Sequence, residues 1–347
     1  MAMGSSVRSA PLSFVNRLLP GLILAGVVGA LGLLTESLEQ DILGHAVIEA
    51  LVAAILIGIV VRNLIRLPSQ VEAGASYAAK QVLELAVCLL GATIDLKQVL
   101  AAGPLLLLAI TLGVVGGIAV SFGIGRALGL HSKLAVLVAV GNSVCGNSAI
   151  AAVAPVIKAD KKDVASSIAL TAVIGVVLVL SLPLTVGLVG LTMYQYGVLA
   201  GMTVYAVPQV IAASFSVSQL SGQVGTLVKL VRVLFIGPVV LFFSLLSRKI
   251  EPGTVSGKRP ALVPWFIIGF VVLGALRFLE VIPSPEAQAA SLASKLLTIV
   301  AMAGLGLGVE FASVRRVGPR VAVAVVGSLA FLIVLSLTLI TQLHIAG

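Results

Sequence analysis

Apolar runs of roughly 20 residues, long enough to cross the ~30 Å hydrocarbon layer of a bilayer, recur along the chain between short polar stretches. They fall at 18–35, 47–65, 78–96, 103–127, 133–157, 164–191, 196–217, 224–247, 262–281, 292–312 and 319–343. The pattern predicts eleven transmembrane helices. Barrel strands would alternate apolar and polar residues in segments of about ten, and runs such as Val173–Leu184 and Val321–Leu335 do not alternate. In lipid the backbone must satisfy its own polar groups, so helices remain. The stretch at 133–157 is the least regular, because polar residues interrupt its middle.

Composition excludes a soluble fold. The chain is 59% hydrophobic and 10% charged, with mean hydropathy +1.20, whereas an ordinary soluble domain carries about 25% charged residues. The net charge of +9 is distributed by topology and needs no nucleic-acid partner. Arg8 and Arg17 precede the first span; Arg62 and Arg66, Arg126 and Lys133, Arg248, Lys249, Lys258 and Arg259, and Arg315, Arg316 and Arg320 fall on the same side. Opposite them lie Glu36, Glu39 and Asp41, Asp95 with Lys97, the mixed run Lys158–Asp163, and Glu280 with Glu286. This bias expects the N-terminus in the cytoplasm and the C-terminus outside. Only Lys158–Asp163 runs against the rule.

The first apolar run follows a basic N-terminus and is read as a retained span rather than a cleaved signal. Cys88 and Cys145, both in apolar spans, exclude a disulfide framework. His45, His131 and His344 sit at span ends without a second ligand at metal spacing, so no metal or cofactor is expected.

A shift of 215 positions aligns Arg62–Pro104 with Arg277–Pro319 without a gap, and about a dozen of some forty positions match. The matches include Arg62/Arg277, Pro68/Pro283, Ser69/Ser284, Lys80/Lys295, Gly91/Gly306 and Gly103-Pro104/Gly318-Pro319, and Asp95 meets Glu310. Counted as seven spans apart, segments 62–104 and 277–319 would face opposite ways. Such inverted repeats build many secondary transporters, with the substrate near the midplane. The domain expectation is a single transmembrane transporter domain over 1–347.

The richest segment is Gly141-Asn142-Ser143-Val144-Cys145-Gly146-Asn147-Ser148. Glycine relaxes the backbone, and Ser and Asn side chains compete for helical hydrogen bonds. In lipid such a stretch is tolerated where it is buried in protein or lines a wet cavity. A half-helix starting near Gly146–Ser148 would aim N–H groups at an anion. The same composition also suits a small-residue packing seam.

A second polar cluster gathers Thr203, Tyr205, Pro208, Gln209 and Ser214, where Pro208 kinks or interrupts the helix. Lys229 and Arg232 lie inside Val224–Phe243. Charges within a span mark a pathway or a paired cluster, although both stand near the start of the span and could snorkel. Arg suits an oxyanion through its planar fork. Acidic groups in spans are few: Glu84, with Asp95 and Glu310 near span ends. Glu310 and Glu84 are the candidate coupling carboxylates.

The residues resemble the YeiH-type sulfate-exporter family of bacterial membrane proteins over nearly the whole chain. The resemblance rests on Gly58-Ile-Val-Val-Arg-Asn63, Ala79-Lys-Gln81 with Leu90-Gly91, Asn142-Ser-Val-Cys-Gly146 with Ala154-Pro-Val-Ile-Lys158, Lys229-Leu-Val-Arg232, Pro264-Trp-Phe266 and Ala303-Gly-Leu-Gly-Leu307. It implies a fold similar to bile-acid symporters and sodium/proton antiporters, with crossed discontinuous helices in the fifth and tenth spans and Gly304–Gly308 as the second break. Members of that family carry a His-Glu pair where this chain has Tyr205-Ala206, so a proton-coupling scheme based on that pair does not carry over.

The expectation is a secondary-type carrier for a small anion such as sulfate, sulfite or a sulfonate. Its binding residues are expected to be Asn142, Ser143, Cys145, Gly146, Asn147, Ser148, Tyr205, Gln209 and Arg232. The partners expected are the anion, the lipid bilayer, H+ or Na+ as coupling ion, and a second copy of the chain as a homodimer. An anion channel or an organic-anion or cation-coupled carrier is the alternative. An intramembrane enzyme using Ser143 or Cys145 would need a general base, and no His or Asp in a central span supplies one, so no enzyme is expected.

Overall fold

The computed structural model describes residues 10–43, 49–93, 103–250, 265–310, 312, 318–343 and 345. Asp95, on which one of the repeat matches fell, lies outside them, as do His45, His344, Arg315 and Arg316. The described residues are helical throughout, without strands. The helices are α1 (Ala10–Leu43), α2 (Ala50–Leu64), α3 (Ser69–Thr93), α4 (Gly103–Ala127), α5 (Ser132–Cys145), α6 (Asn147–Val153), α7 (Lys161–Ser181) and α8 (Leu184–Val189). They continue as α9 (Met193–Thr203), α10 (Val207–Phe215), α11 (Gln219–Leu234), α12 (Ile236–Ile250), α13 (Trp265–Phe278), α14 (Ser284–Leu307) and α15 (Pro319–Gln342). Among the described residues, seven helical stretches are long and apolar enough to cross a membrane. Their exposed faces carry large aliphatic side chains such as Leu107, Val115, Leu241 and Val334, the surface that lipid rather than water tolerates.

Contacts divide the chain into two compact units. In the first, the described residues up to Ala86 pack with Leu292–Glu310. There α1 lies on α2 and α3, and Arg62 pairs with Glu72 and, at 3.6 Å, with Glu310. Helix α14 runs unbroken through Gly304 and Gly306 and ends at Leu307. The expected second break at Gly304–Gly308 is therefore a helix end, where small residues permit close packing: a Cβ on Gly306 would collide with the carbonyl of Ile55.

The second unit takes the remaining residues and contains two helical hairpins. A straight helix would hold Lys133 and Lys158 about 37 Å apart. Instead Lys133 Nζ donates to the carbonyl of Lys158 at 3.0 Å, and Leu137 joins Ile150 and Ala154 in one apolar cluster. Helices α5 and α6 thus fold back on each other. The turn is local chemistry. Gly141–Cys145 closes a π-type turn, with Gly146 N–H donating to the Gly141 carbonyl at 2.9 Å. Gly146 then takes φ +63 and ψ −121, a combination open to glycine and strained for other residues.

The second hairpin joins α9 and α10. The Tyr196 hydroxyl donates to the Ala213 carbonyl at 2.7 Å, although a straight helix would part these residues by about 25 Å. Here the breaker is Pro208. It has no N–H to give the carbonyl four residues back, that of Val204, and its ring would clash there. The chain leaves the helix at Val204 and restarts at Val207. The expectation that 133–157 and 196–217 each run straight through is corrected: both segments return to the end from which they start.

The two hairpins stand at opposite ends of α15. Near its start, Arg320 approaches Gly129, just before α5; beyond its far end, the Ile345 carbonyl accepts from Gln195 Nε2 at the base of α9. Helix α7 leads from the base of the first hairpin, and the second begins after α8.

The shift of 215 positions also carries the helix boundaries. It moves α2 onto 265–279, α3 onto 284–308 and α4 onto 318–342, within a residue of α13, α14 and α15. Contacts follow the same operation. Within the first unit Gly306 closes on Ile55, and within the second Gly91 closes on Phe270; Gly91 is the counterpart of Gly306, and Phe270 of Ile55.

Candidate functional site

The tips of the two hairpins meet. A Cβ on Gly146 would stand 3.2 Å from Tyr205 Cβ, so the turn of one hairpin lies against the turn of the other. Ending a helix leaves its last four carbonyls without an intrahelical partner, and in a membrane interior such groups are expensive to leave unpaired. Two arms, α5 and α9, end here.

Helix α11 supplies the missing donors. Lys229 Nζ donates to Val144 O at 2.7 Å and to Val204 O at 2.9 Å, one carbonyl from each tip. Arg232 Nη2 donates to Asn142 O at 3.2 Å, Nε to Ser143 O at 3.3 Å and Nη1 to Gly201 O at 2.8 Å. The carbonyls of Asn142, Ser143 and Val144 are thus taken in sequence, while Gly141 O receives Gly146 N–H. Val204 O, which Pro208 cannot satisfy, is among those Lys229 holds. Lys229 and Arg232 are 0% and 2% exposed. Snorkelling is ruled out for both, because their polar ends point at the tips and their i, i+3 spacing sets them on one face of α11.

Arg232 was expected to face the anion. Its guanidinium instead clamps backbone carbonyls on both hairpins. Gln209 is likewise committed: its Oε1 accepts the Ala206 N–H at 3.2 Å and its Nε2 donates to Ala172 O at 3.4 Å, so it caps the start of α10. Thr203 and Ser214 bond to the Leu199 and Val210 carbonyls of their own helices.

The other expected residues divide by exposure. Asn142 and Ser143 are wholly buried; Asn142 Nδ2 donates to Val325 O on α15 at 3.1 Å. Asn142 Oδ1, Ser143 Oγ and the Tyr205 hydroxyl are buried without a hydrogen-bond partner among the described residues, an uncommon state that calls for a reason. Cys145 is buried, with Ser148 and the Ala149 N–H in hydrogen-bonding reach of its thiol. Asn147 and Ser148, directly after the turn, are exposed. The Thr171 hydroxyl on α7 lies 2.9 Å from Asn147 Oδ1 and 3.0 Å from the Ser167 and Ile168 carbonyls, and shares its one hydrogen among them. Thr171 escaped the sequence reading, since one Thr in an apolar span carries no signal.

Glu84 and Glu310 belong to the first unit, and Glu310 faces Arg62 rather than standing as an open carboxylate. No cluster of three or more metal-ligating side chains occurs among the described residues.

Comparison with known proteins supports the membrane assignment. A UPF0324 membrane protein of Brucella suis biovar 1 is 51% identical over 338 residues, covering 96% of this chain and 99% of its own. One of Bradyrhizobium diazoefficiens is 46% identical over 95% of this chain and 94% of its own. One of Bacillus cereus is 35% identical over 79% of this chain and 81% of its own. No solved structure matches. With relatives named as membrane proteins and seven helices of spanning length and apolarity, this is a multi-pass membrane protein. A family profile matches residues 20–325, and the chain belongs to the family described as Conserved hypothetical protein 698.

Proposed function

We propose that the protein is a secondary transporter of a small anion of the sulfate, sulfite or sulfonate kind, bound where the two hairpin tips meet. The observation that carries this reading is the charge balance at the tips. Each helix C-terminus contributes about half a negative charge, so α5 and α9 together bring about one. Lys229 and Arg232 bring two positive charges, and no carboxylate forms an ion pair with either among the described residues. Because α6 and α10 start at the same tips and their N-termini add positive partial charge, at least about one positive charge is left over in a site walled by apolar helices, where electrostatic terms are strong. Asn147 and Ser148, exposed beside the turn, supply neutral donors at its open edge. An anion answers both features; a cation answers neither. The resemblance to the YeiH-type sulfate-exporter family narrows the class to sulfur oxyanions.

In this reading nine of the described helices cross the bilayer: the seven long ones, α2 and α13. The two hairpins are re-entrant, dipping in from opposite faces. This topology brings Lys158–Asp163 to the same face as Arg126 and Lys133, which removes the one exception to the positive-inside pattern. It keeps the N-terminus cytoplasmic and the C-terminus outside in a bacterial inner membrane. It also sets α2, α3 and α4 opposite in sense to α13, α14 and α15, as an inverted repeat requires.

Counterflow in proteoliposomes tests the function. Preloaded unlabelled anion should accelerate uptake of labelled sulfate, sulfite or a sulfonate, and Asn147→Ala with Ser148→Ala should reduce that exchange at least tenfold while the protein remains monodisperse. Uptake without trans-acceleration would point to a channel, and wild-type exchange in the double variant would remove the site.

A further inference from the structure

Backbone carbonyls at the ends of interrupted helices are the ligand set that carriers offer to sodium. Here that set is already occupied, by groups belonging to the chain. We infer that Lys229 is a tethered cation standing where an alkali ion would otherwise bind, so that the two hairpin tips are held together without sodium and the transport cycle runs without it.

Three observations carry this. Lys229 Nζ reaches one carbonyl on each tip, Val144 O at 2.7 Å and Val204 O at 2.9 Å, so one cation bridges both hairpins. Val204 O is the carbonyl left unpaired by Pro208, and Val144 O lies in the π-type turn of α5; neither lies in a regular helix interior. Finally, among the described residues no carboxylate pairs with Lys229: the charged or titratable groups about it are Arg232 and the Cys145 thiol, with Tyr205 beside Arg232. The negative helix ends are what neutralise the ammonium. A sodium ion added to the same carbonyls would face two fixed positive charges with no anionic side chain to offset them.

Lys229 is a positioning residue, and the inference rests on the transport reading only for its consequence on the cycle. Ion-specific rescue separates it from a merely structural lysine. Lys229→Ala removes the ammonium and leaves space; Lys229→Met fills the space without charge. Sodium, potassium or methylammonium chloride should raise the unfolding temperature of detergent-solubilised Lys229→Ala by roughly 3–8 °C over tetramethylammonium chloride at equal ionic strength. The same salts should leave wild type and Lys229→Met unmoved. If Lys229→Ala does not fold alone, purification in methylammonium should restore its yield.

Lack of response of Lys229→Ala to every small cation would overturn the inference, as would stabilisation of wild type by sodium. Wild-type counterflow should keep its rate when sodium is replaced by N-methylglucamine, and a loss greater than twofold would overturn it. Absence of counterflow in any medium would instead count against the transport reading, leaving the stability measurements to decide the role of Lys229.

Discussion

Gly146→Ala tests whether the turn that joins the hairpin tips governs the fold of the site. Gly146 has φ +63 and ψ −121, outside the regions open to residues with a Cβ. Holding alanine there costs about 1–3 kcal/mol in backbone strain. The new methyl carbon would also stand 3.2 Å from Tyr205 Cβ, a side chain that is itself buried and has little room to retreat. Overpacking of this kind costs typically about 1–3 kcal/mol, and the lower half applies because a shift of a few tenths of an ångström relieves it. The sum is about 2–5 kcal/mol. Equilibrium unfolding in mixed detergent–SDS micelles reads it against Gly123→Ala, a helical position in α4 where an added Cβ meets nothing within 4 Å. There alanine should stabilise by about 0.5–1 kcal/mol. The two glycine-to-alanine changes should therefore differ in sign. If Gly146→Ala falls within about 0.5 kcal/mol of Gly123→Ala, inside the scatter expected for unconstrained positions, the turn is not the constraint described.

Arg232→Met should lower unfolding stability by about 3–5 kcal/mol, since it strips partners from three buried carbonyls at once; Arg232→Lys should recover less than half, because one ammonium cannot reproduce the fork. Tyr196→Phe removes the hydroxyl that closes the second hairpin on Ala213 and should cost about 1–2 kcal/mol in the same assay, with a neutral result counting against that closure. Cysteines placed at Lys133 and Lys158 should both react with a membrane-impermeant maleimide from the cytoplasmic face, and one at Thr192 from the opposite face; labelling of positions 133 and 158 from different faces would restore a straight span. Thr171→Val frees Asn147 from its hydrogen bond and should weaken anion exchange several-fold with little loss of stability, whereas unchanged exchange would make Thr171 a packing residue.

Most of the helical content was legible because it depends on local facts. Runs of aliphatic residues about 20 long dictate apolar helices, although α1, α3 and α14 begin eight or nine residues before the expected spans 18–35, 78–96 and 292–312, because helical hydrogen bonding continues past the apolar core. The offset of 215 was legible in scattered Arg, Pro, Ser and Lys matches, and it carries the boundaries of three helices to within a residue. The break at Gly141–Ser148 was also readable, since glycine and asparagine weaken a helix wherever they fall. In the second cluster Pro208 marked the interruption, but the competing break at Gly304–Gly308 looked equally good. Gly306 serves close packing against α2 and Gly304 against α3 instead, and glycine composition does not separate the two uses.

Direction and partnership were decided by the tertiary structure. An apolar stretch of about 25 residues with a weak centre satisfies hydropathy equally whether it continues or turns back. The choice rests on contacts between residues far apart along the helix, Lys133 with Lys158 and Tyr196 with Ala213. The misplaced charges of Lys158–Asp163 were the one trace of this in the sequence. The same holds for Lys229 and Arg232. Sequence placed two cations on one helical face, but their partners are main-chain oxygens, which every residue possesses and no residue type marks. Only the fold brings the carbonyls of Asn142, Ser143, Val144, Gly201 and Val204 into reach of α11, and that convergence turns two costly buried charges into the clamp that holds the site.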